Sequence, residues 1–328
     1  MPPAGLVLAG HNPLSSLPSQ FPDILRRAGK AAVFAAEEFF YGRIRNEHTR
    51  AAYLVAVRRF LRWAEERGLD LVRIAPRDVG QYLDWLREQN TSIPTRKQHL
   101  AAIRHFFDTL ALRHAIVFNP ALSVRGERYQ VVEGKTPEIP VKDARVLLAS
   151  IGTSDVVRLR DRAIIGILIY TGCRARAIVK LRRGGLHHAG DQWMLHFDEK
   201  GGKSREIPVR HDLEQMLFAY LDAAGIADAP KSTPLFRTAY RRTRRLTAHS
   251  MYVVDICRMF KRRLKDAGLP TICSPHSVRV TTLTDLLEQG VPMEDVQRLA
   301  GHADPRTTRL YDRRQKKITR NIVERISI

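Results

Sequence analysis

The chain has 328 residues, of which 44% are apolar and 27% are charged. This length exceeds what one hydrophobic core usually supports, and the composition is globular, so a single small module and a disordered chain are both excluded. Lys and Arg number 55 against 34 for Asp and Glu, which gives a formal net charge of +21 and predicts a polyanionic partner, nucleic acid before an anionic membrane surface.

The apolar segments are too short for membrane insertion or secretion. The longest apolar run, Ala163 to Thr171, is far shorter than the ~20 residues of a spanning helix, and Leu6 to Ala9 is too short for a signal-peptide core. We therefore expect a cytoplasmic, nucleoid-associated protein with no membrane partner. Cys173, Cys257 and Cys273 form no C-x-x-C pair, which predicts reduced thiols.

The N-terminal part of the chain is predicted to be a flexible arm followed by a helical domain. Residues 1–22 contain five prolines and no helical period, and the predicted arm extends over 1–29. Apolar spacings of three and four then predict helices within a domain over 30–118. These helices are Thr49–Arg67, Pro76–Leu86 and Ser92–Leu110. Their basic side chains that we expect to contact DNA are Arg58, Arg59, Arg62, Arg96 and Lys97.

A second domain is predicted after a linker over 119–140, a stretch that contains prolines, a glycine and many polar residues. Residues 141–328 alternate helical patterns with one β-hairpin. Its strands are Gln192–Phe197 and Ser204–Val209, joined by Gly201-Gly202. The predicted fold class is therefore mainly α with a small antiparallel sheet, in two domains.

The second domain also carries a strongly basic segment. Between Arg237 and Lys265 there are ten basic residues, and Asp255 is the single acid. A solvated face usually mixes charges, so we favour contact with a phosphate backbone, with a solvated surface as the alternative. The residues predicted to make this contact are Arg241, Arg242, Arg244 and Arg245.

Two kinds of chemistry lack a complete motif. Glu199–Ser204 resembles the end of a phosphate-binding P-loop, but the first glycine of that motif would fall at Phe197, and a strand follows instead of a helix. The histidines include no H-E-x-x-H motif, and the carboxylates do not cluster into a two-metal site. We therefore expect neither a nucleotide cofactor nor a metal.

Four segments of the second domain carry residues suited to phosphate chemistry without a metal. They are TGCR at 171–174, EKGGKSREIPV at 199–209, SPHSVR at 274–279 and LAGHADPRTTRLYDR at 299–313. In this order they resemble the signature boxes of the tyrosine recombinases, or phage-type integrases. The resemblance implies a two-domain architecture with a helical core-binding domain over 30–118 and a mixed α/β catalytic domain over 141–328. It also implies an active site of Arg174, Lys200, His276, Arg279, His302 and the nucleophile Tyr311.

Elementary chemistry agrees with these roles. Attack on a DNA phosphate adds negative charge to its oxygens, and the guanidinium groups of Arg174 and Arg279 can hold them at two points. A tyrosine with a pKa of about 10 needs a base, for which His276 is the candidate. Two donors remain, Lys200 for the departing 5′-oxygen and His302 for the phosphate. A 3′-phosphotyrosyl bond conserves the energy of the phosphodiester, so rejoining needs no ATP.

Two positions depart from the family pattern. Ala177 stands where the family commonly has an acidic residue, and Val280 stands where it commonly has a histidine. The acidic residue normally braces local structure. Its loss is therefore expected to affect the orientation of Arg174 rather than the chemistry itself.

The resemblance implies a site-specific recombinase that serves integration, excision or resolution of a DNA element. It would act as a dimer on one site and a tetramer in the synapse, and we favour a mobile-element integrase. A DNA-relaxing topoisomerase and a catalytically idle DNA-binding protein are the alternatives. An apolar stripe predicts a C-terminal helix that packs in its own domain or docks on a neighbouring protomer: Ile318, Ile322, Val323 and Ile326.

Overall fold

A computed structural model of the chain describes residues 21–129, 136–198, 204–241 and 243–312. The chain divides near residue 130 into two compact units. Several features named above lie outside the described residues. They are most of the N-terminal arm, part of the predicted linker, Lys200 with the Gly201-Gly202 turn, Arg242 and the C-terminal apolar stripe.

The first unit is built from helices, as predicted. Its α-helices are α1 (Asp23–Arg27), α2 (Lys30–Glu37), α3 (Glu47–Glu65), α4 (Pro76–Glu88) and α5 (Ile93–Leu112). A π-helical turn over Glu38–Arg43 continues α2, and a 3-10 turn occupies Leu71–Arg73. The core contains interlocking aromatic rings, in which Phe60 meets Tyr82 and Phe107 edge to face. The three predicted helices are present with ends shifted by about two residues, a usual boundary error.

Both predicted boundaries of this unit need correction. Helix α1 lies inside the predicted arm, and Phe21, Ile24 and Leu25 are buried in the core, so the folded unit includes residues 21–29. The predicted linker also begins too early, since Ala121 is fully buried and Arg104 donates from Nε to its carbonyl at 3.0 Å. The proline and polar content of this stretch indicated an unanchored linker, but the start of the stretch is attached to the first unit by buried side chains and by the hydrogen bond from Arg104.

The second unit is mixed, with helices around two small antiparallel sheets among the described residues. The helices are α6 (Val141–Ala149), α7 (Val156–Thr171), α8 (Ala175–Lys180), α9 (His211–Ala223), α10 (Val253–Asp266), α11 (Pro275–Glu288), α12 (Met293–Ala300) and α13 (Pro305–Arg309). The strands are β1 (Leu186–Ala189), β2 (Gln192–Asp198), β3 (Ser204–Pro208), β4 (Arg237–Ala239) and β5 (Leu246–Ser250). The predicted hairpin is β2 and β3, which pair antiparallel with Leu195 opposite Ile207. Sequence reasoning missed β1 and the pair of β4 with β5.

Helix α7 is the central element of this unit. Its residues Ile164, Ile165 and Ile167 are fully buried, and the helix packs against α9 on one side and α11 on another. Helix α7 is apolar on several faces, so the core of the unit surrounds it and determines its position. Its C-terminal end, at Thr171, lies at the start of the first signature segment.

A buried ion cluster joins α7 to α10. Asp161 is fully buried, and its carboxylate accepts from Arg160 at 2.7 Å and from Arg263 at 2.7 Å, with Arg262 at 3.1 Å. A buried carboxylate needs such partners because desolvation of an unpaired charge is costly. Part of the basic segment therefore stabilises the fold. No helix within the described ranges is long and apolar enough to cross a membrane.

Candidate active site

Two glycines with left-handed backbone end helices and place the next residues at the site. Gly172 has φ 56° and ends α7, so the chain turns and Arg174 becomes the N-cap of α8. Gly301 has φ 63° and ends α12, which places His302 directly after the helix. A side chain at either position would strain the turn, which is the physical reason for glycine in both segments.

Arg279 lies at the centre of the site and is 1% exposed. Its Nη1 donates to the carbonyl of Gly172 at 2.5 Å, and its Nη2 donates to the carbonyl of Ala300 at 2.7 Å. Both acceptors are at helix C-termini, where the partial negative charge favours a cation. One guanidinium thus ties the ends of α7 and α12 together, while its Nε has no hydrogen-bond partner among the described residues.

His302 contacts Arg279 on one side and Thr308 on the other. Its Nε2 is 2.6 Å from Nη2 of Arg279, and its Nδ1 is 2.9 Å from Oγ1 of Thr308. Gln297 fixes the backbone of this residue, since its Nε2 donates to the His302 carbonyl at 3.0 Å. The ring is buried and held at both nitrogens, so its orientation is defined before any substrate binds.

Tyr311 follows α13 and lies beside the histidine. The two rings stack with centroids 5.7 Å apart and planes at 16°. The backbone N–H of Tyr311 donates to the carbonyl of Thr308 at 3.0 Å. The tyrosine is half-buried, so packing holds its ring in place while part of it faces solvent.

Burial and the positive charges of the site lower the pKa of both histidines. Burial, followed by the charges of Arg279 and Arg174, lowers the pKa of His302 to about 3. Partial removal of the His276 imidazole from water lowers its pKa as well, and Arg279 and Arg174 add to this effect. A neutral His276 has a free nitrogen that can accept a proton, as a general base must.

Arg174 is exposed at the start of α8, in contrast to Arg279. Its charge nevertheless acts on the pKa of Arg279, which is lowered by burial first and by Arg174 second, while Tyr311 acts in the opposite direction. Arg174 and Tyr311 can act on the pKa of Arg279 only if their side chains lie close to it. The structure therefore brings five of the six predicted active-site residues together, and Lys200 lies outside the described residues.

Sequence reasoning missed Arg205, whose guanidinium nitrogens are all buried. Strand β3 positions it opposite Phe197, with the guanidinium 5.6 Å from the ring centroid. Its charge lowers the pKa of His302 and of Arg279. The signal was available, because period-two alternation in the strand puts Arg205 on the same face as the buried Ile207 and Val209.

The two departures from the family pattern are both accommodated as apolar packing. Ala177 is 8% exposed and lies in the core of the second unit, and its N–H donates to the carbonyl of Arg174 at 2.8 Å. Val280 is also buried. The first turn of α8 is thus braced by a backbone hydrogen bond that the loss of an acidic side chain leaves intact.

The predicted DNA contacts of the first unit differ in whether their side chains are buried and paired, close to aromatic rings, or exposed. Arg96 is buried and its guanidinium is paired with Glu127, with Nη2 to Oε2 at 2.7 Å, so it is not available to a phosphate in this state and we remove it from the contact set. Arg58 lies 5.4 Å from the ring of Phe21 and Arg59 lies 5.0 Å from the ring of Trp85. Arg62 and Lys97 are exposed.

The predicted contacts of the second unit lie in the turn between β4 and β5. The turn is closed by the N–H of Tyr240, which donates to the carbonyl of Arg245 at 2.8 Å. Arg241, Arg244 and Arg245 are exposed, and Arg244 lies 3.8 Å from the carboxylate of Asp155. Arg241 and Arg244 of this turn line a cavity of about 240 Å³ together with four other arginines, Arg158, Arg160, Arg262 and Arg263. No group of three metal-ligating side chains occurs within the described ranges.

The neutral state of His302 predicts acid destabilisation of the fold. An unfolded imidazole titrates near 6.5, whereas folded His302 stays neutral down to about pH 3. As the pH falls below 6.5 the unfolded chain binds a proton that the folded chain does not, so this stability is complete above 6.5 and declines below it. We expect a loss of about 2 kcal/mol in unfolding free energy between about pH 6.5 and pH 5, absent in His302→Asn.

Urea unfolding at several pH values measures this difference. His249→Asn, at an exposed position, is the matched control and should retain the wild-type pH dependence. Equal pH dependence in wild type and His302→Asn would contradict a buried neutral His302.

The chain has two compact units, and the second holds the clustered site residues. Residues 139–317 match the phage integrase family, and residues 38–114 match the phage integrase N-terminal SAM-like domain. Because the first match alone covers more than half of the chain, the chain belongs to the phage integrase family, and its relatives are tyrosine recombinases.

One curated relative is similar in sequence, and two solved structures are similar in fold. The tyrosine recombinase XerD of Listeria monocytogenes serotype 4b (strain F2365) is 29% identical over 238 residues, which are 71% of this chain and 76% of that protein. The XerH recombinase bound to palindromic difH substrate in a post-cleavage complex has a TM-score of 0.71 at 18% identity, covering 92% of this chain and 87% of that chain. A lambda integrase tetramer bound to a Holliday junction has a TM-score of 0.63 at 17% identity, covering 94% and 84%. The predicted fold class is confirmed.

Proposed function

We propose that this protein is a site-specific DNA recombinase that cleaves and rejoins strands through a 3′-phosphotyrosyl intermediate. The observation that carries the proposal is the cluster of Arg174, His276, Arg279, His302 and Tyr311 in one unit, in which His302 contacts Arg279 and Tyr311 and the pKa of both histidines is lowered. This arrangement suits a reaction in which a phenol attacks a phosphate and negative charge develops on its oxygens.

Each residue has one role in the proposed reaction. Neutral His276 takes the phenolic proton, the Tyr311 oxygen attacks phosphorus, and the bond from phosphorus to the 5′-oxygen breaks. Arg174 and Arg279 stabilise the charge on the non-bridging oxygens, and Lys200 supplies the proton that the 5′-oxygen needs. Rejoining is the reverse reaction with a new 5′-hydroxyl, which balances every atom without ATP.

Trapping of the covalent intermediate tests the proposal. The substrate is a duplex taken from inverted repeats that flank the coding sequence. It carries a nick near the cleavage position, so that a short fragment with a 5′-hydroxyl diffuses away after cleavage. We expect a protein–DNA band that survives denaturation and forms in EDTA. Failure of the wild type to form it on DNA that it binds would support an idle DNA-binding protein, and loss of cleavage in EDTA would support a metal nuclease.

We also propose that the enzyme acts as a dimer on one site and a tetramer in the synapse. The tetramer is supported by the structurally similar lambda integrase, which was solved as a tetramer bound to a Holliday junction. The C-terminal residues 315–328 remain the proposed self-association segment. Relaxation of supercoiled plasmid without the flanking repeats would instead favour a topoisomerase.

The exposed arginines between β4 and β5 should contribute phosphate contacts. Each such contact adds about 0.9 to the slope of log affinity against log salt. Replacing Arg241, Arg244 and Arg245 together with Ala should therefore reduce the magnitude of the slope by about 3. Fluorescence anisotropy with labelled duplex over roughly 50–200 mM salt measures it.

A matched variant removes the same charge from exposed positions of the first unit. It replaces Arg26, Arg73 and Arg87 with Ala. This control should leave the slope near that of wild type. An unchanged slope in the β4–β5 variant would remove that turn from the DNA interface.

A further inference from the structure

The hydroxyl of Thr308 is the partner of the second nitrogen of His302. Thr308 is fully buried in α13, and its Oγ1 lies 2.9 Å from Nδ1 of His302. The same residue accepts the backbone N–H of Tyr311 at 3.0 Å through its carbonyl. Thr308 therefore contacts both the histidine and the segment that carries the nucleophile.

The contact with Arg279 determines which nitrogen of His302 carries the proton. A guanidinium has donors only, so the 2.6 Å contact between Nη2 of Arg279 and Nε2 of His302 requires Nε2 to accept. Burial and the surrounding arginines lower the pKa of His302 to about 3, so the ring holds a single proton at neutral pH. That proton is on Nδ1, which donates to Oγ1 of Thr308.

This state conflicts with the role of His302 as a donor to the phosphate. A nitrogen that accepts from Arg279 has no proton to donate. Arg279 in turn uses both N–H groups of Nη2, one for Ala300 and one for His302. If Arg279 is to hold two phosphate oxygens through Nη2 and a neighbouring nitrogen, Nη2 must therefore give up its hydrogen bond to one of these two acceptors.

The neutral imidazole is the acceptor that a phosphate replaces more readily. A charged phosphate oxygen forms a stronger hydrogen bond with a guanidinium than a neutral nitrogen does. The carbonyl of Ala300 belongs to a helix terminus and is fixed by the backbone. Departure of Arg279 from Nε2 leaves that nitrogen facing the phosphate.

We propose that Thr308 is a positioning residue that lets His302 change from an acceptor for Arg279 in the free enzyme to a donor for the scissile phosphate. This inference rests on the proposed function. A hydroxyl both donates and accepts, so rotation of the Thr308 O–H supports either form of the ring. In the change Nδ1 loses a proton and Nε2 gains one, with water as the carrier, so the charge of the ring stays the same.

Groups on every neighbouring element act on this ring. Arg279 and His276 on α11, Arg174 at the start of α8 and Arg205 on β3 all lower its pKa, and Tyr311 stacks on it. Four of these five groups are arginines or histidines, so an added positive charge on His302 is disfavoured. The exchange of one neutral form for the other therefore suits the site better than protonation.

The test separates the hydroxyl from the rest of Thr308. Thr308→Val keeps the shape and removes the hydroxyl, Thr308→Ser keeps the hydroxyl, and Thr307→Val is the control in the same helix. Adduct formation in a single turnover should fall by about 10-fold in Thr308→Val and stay within about twofold of wild type in the other two variants. If Thr308→Val unfolds at a lower temperature than wild type, Thr308→Ala is compared with Thr308→Ser instead, because these two variants also differ by the hydroxyl.

A spectroscopic measurement distinguishes positioning from general support of the fold. The ¹⁵N shifts of labelled histidine, assigned with His302→Asn, report which nitrogen is protonated. We expect a protonated Nδ1 and an unprotonated Nε2 in the free wild type, the same protonation with a displaced Nδ1 shift in Thr308→Val, because that N–H has lost its acceptor, and recovery of the wild-type shift in Thr308→Ser. The wild-type Nδ1 shift and rate in Thr308→Val would overturn the proposal.

The second form is measured in the DNA complex of Tyr311→Phe, which binds without cleaving. Nε2 of His302 should carry the proton there, and an unchanged pattern in protein shown to be bound would refute the change of form. If wild type forms no adduct at all, the proposed function fails, while the measurement on free protein still decides the role of Thr308.

Discussion

Replacing Tyr311 with Phe should abolish the covalent adduct and leave DNA binding unchanged. The proposed mechanism joins DNA to one atom of the protein, the phenolic oxygen of Tyr311, and none of the other proposed site residues can replace it. The ring remains, so its stacking on His302 at 5.7 Å and its packing beside α13 are retained. The expected effect is complete loss of adduct, in contrast to the graded losses expected at other positions.

Two measurements on the same preparation make this result decisive. A gel-shift titration should give equal affinity for wild type and Tyr311→Phe, and denaturing electrophoresis with the nicked substrate should give an adduct for wild type alone. Tyr252→Phe is the matched control, since Tyr252 is exposed directly before α10 and outside the turn between β4 and β5. A persisting adduct in Tyr311→Phe would place the nucleophile elsewhere.

The active-site residue types were predictable from sequence because each belongs to a short local motif. Gly172 lies two residues before Arg174 and Gly301 lies directly before His302, and the positive φ of both glycines makes each turn a local property of the sequence. The helices were predictable for the same reason, since the apolar spacing of α3 and α5 is a property of neighbouring residues.

The contacts among these residues were not predictable, because they join distant parts of the chain. Arg279 bonds to Gly172, 107 residues away, and Arg160 donates to the carbonyl of Arg237, 77 residues away. The role of His302 as a phosphate donor stays a prediction, since sequence alone does not show that Arg279 contacts its Nε2 in the free protein. Arg96 illustrates the same limit, because its partner Glu127 lies within the predicted linker.

The basic segment shows where charge counting and structure diverge. Ten basic residues in one stretch favoured a single phosphate-binding role. Arg263 instead binds the buried Asp161 at 2.7 Å, while Arg241 and Arg245 are exposed in the turn. The segment thus contains both arginines that pair with buried groups of the fold and exposed arginines that are available for the proposed DNA contact.

Replacing Arg279 with Lys should lower cleavage by roughly 10²–10³-fold although the positive charge is retained. An ammonium group is a compact donor and cannot reproduce a planar grip at two points on a phosphate. It also cannot reach the carbonyls of Gly172 and Ala300 together with His302, all of which the guanidinium contacts. We therefore expect Arg279→Lys to lose thermal stability as well as activity.

Arg174→Lys separates the two effects, because Arg174 is exposed at the start of α8. Its cleavage should fall by a similar factor while the melting temperature stays near that of wild type. Arg176→Lys, on the same helix and also exposed, is the control and should change neither quantity. Single-turnover adduct formation and thermal melting measure the two quantities on the same samples. Near-normal cleavage by Arg279→Lys would mean that this residue acts through its charge alone, and the two-point grip on the phosphate would have to be abandoned.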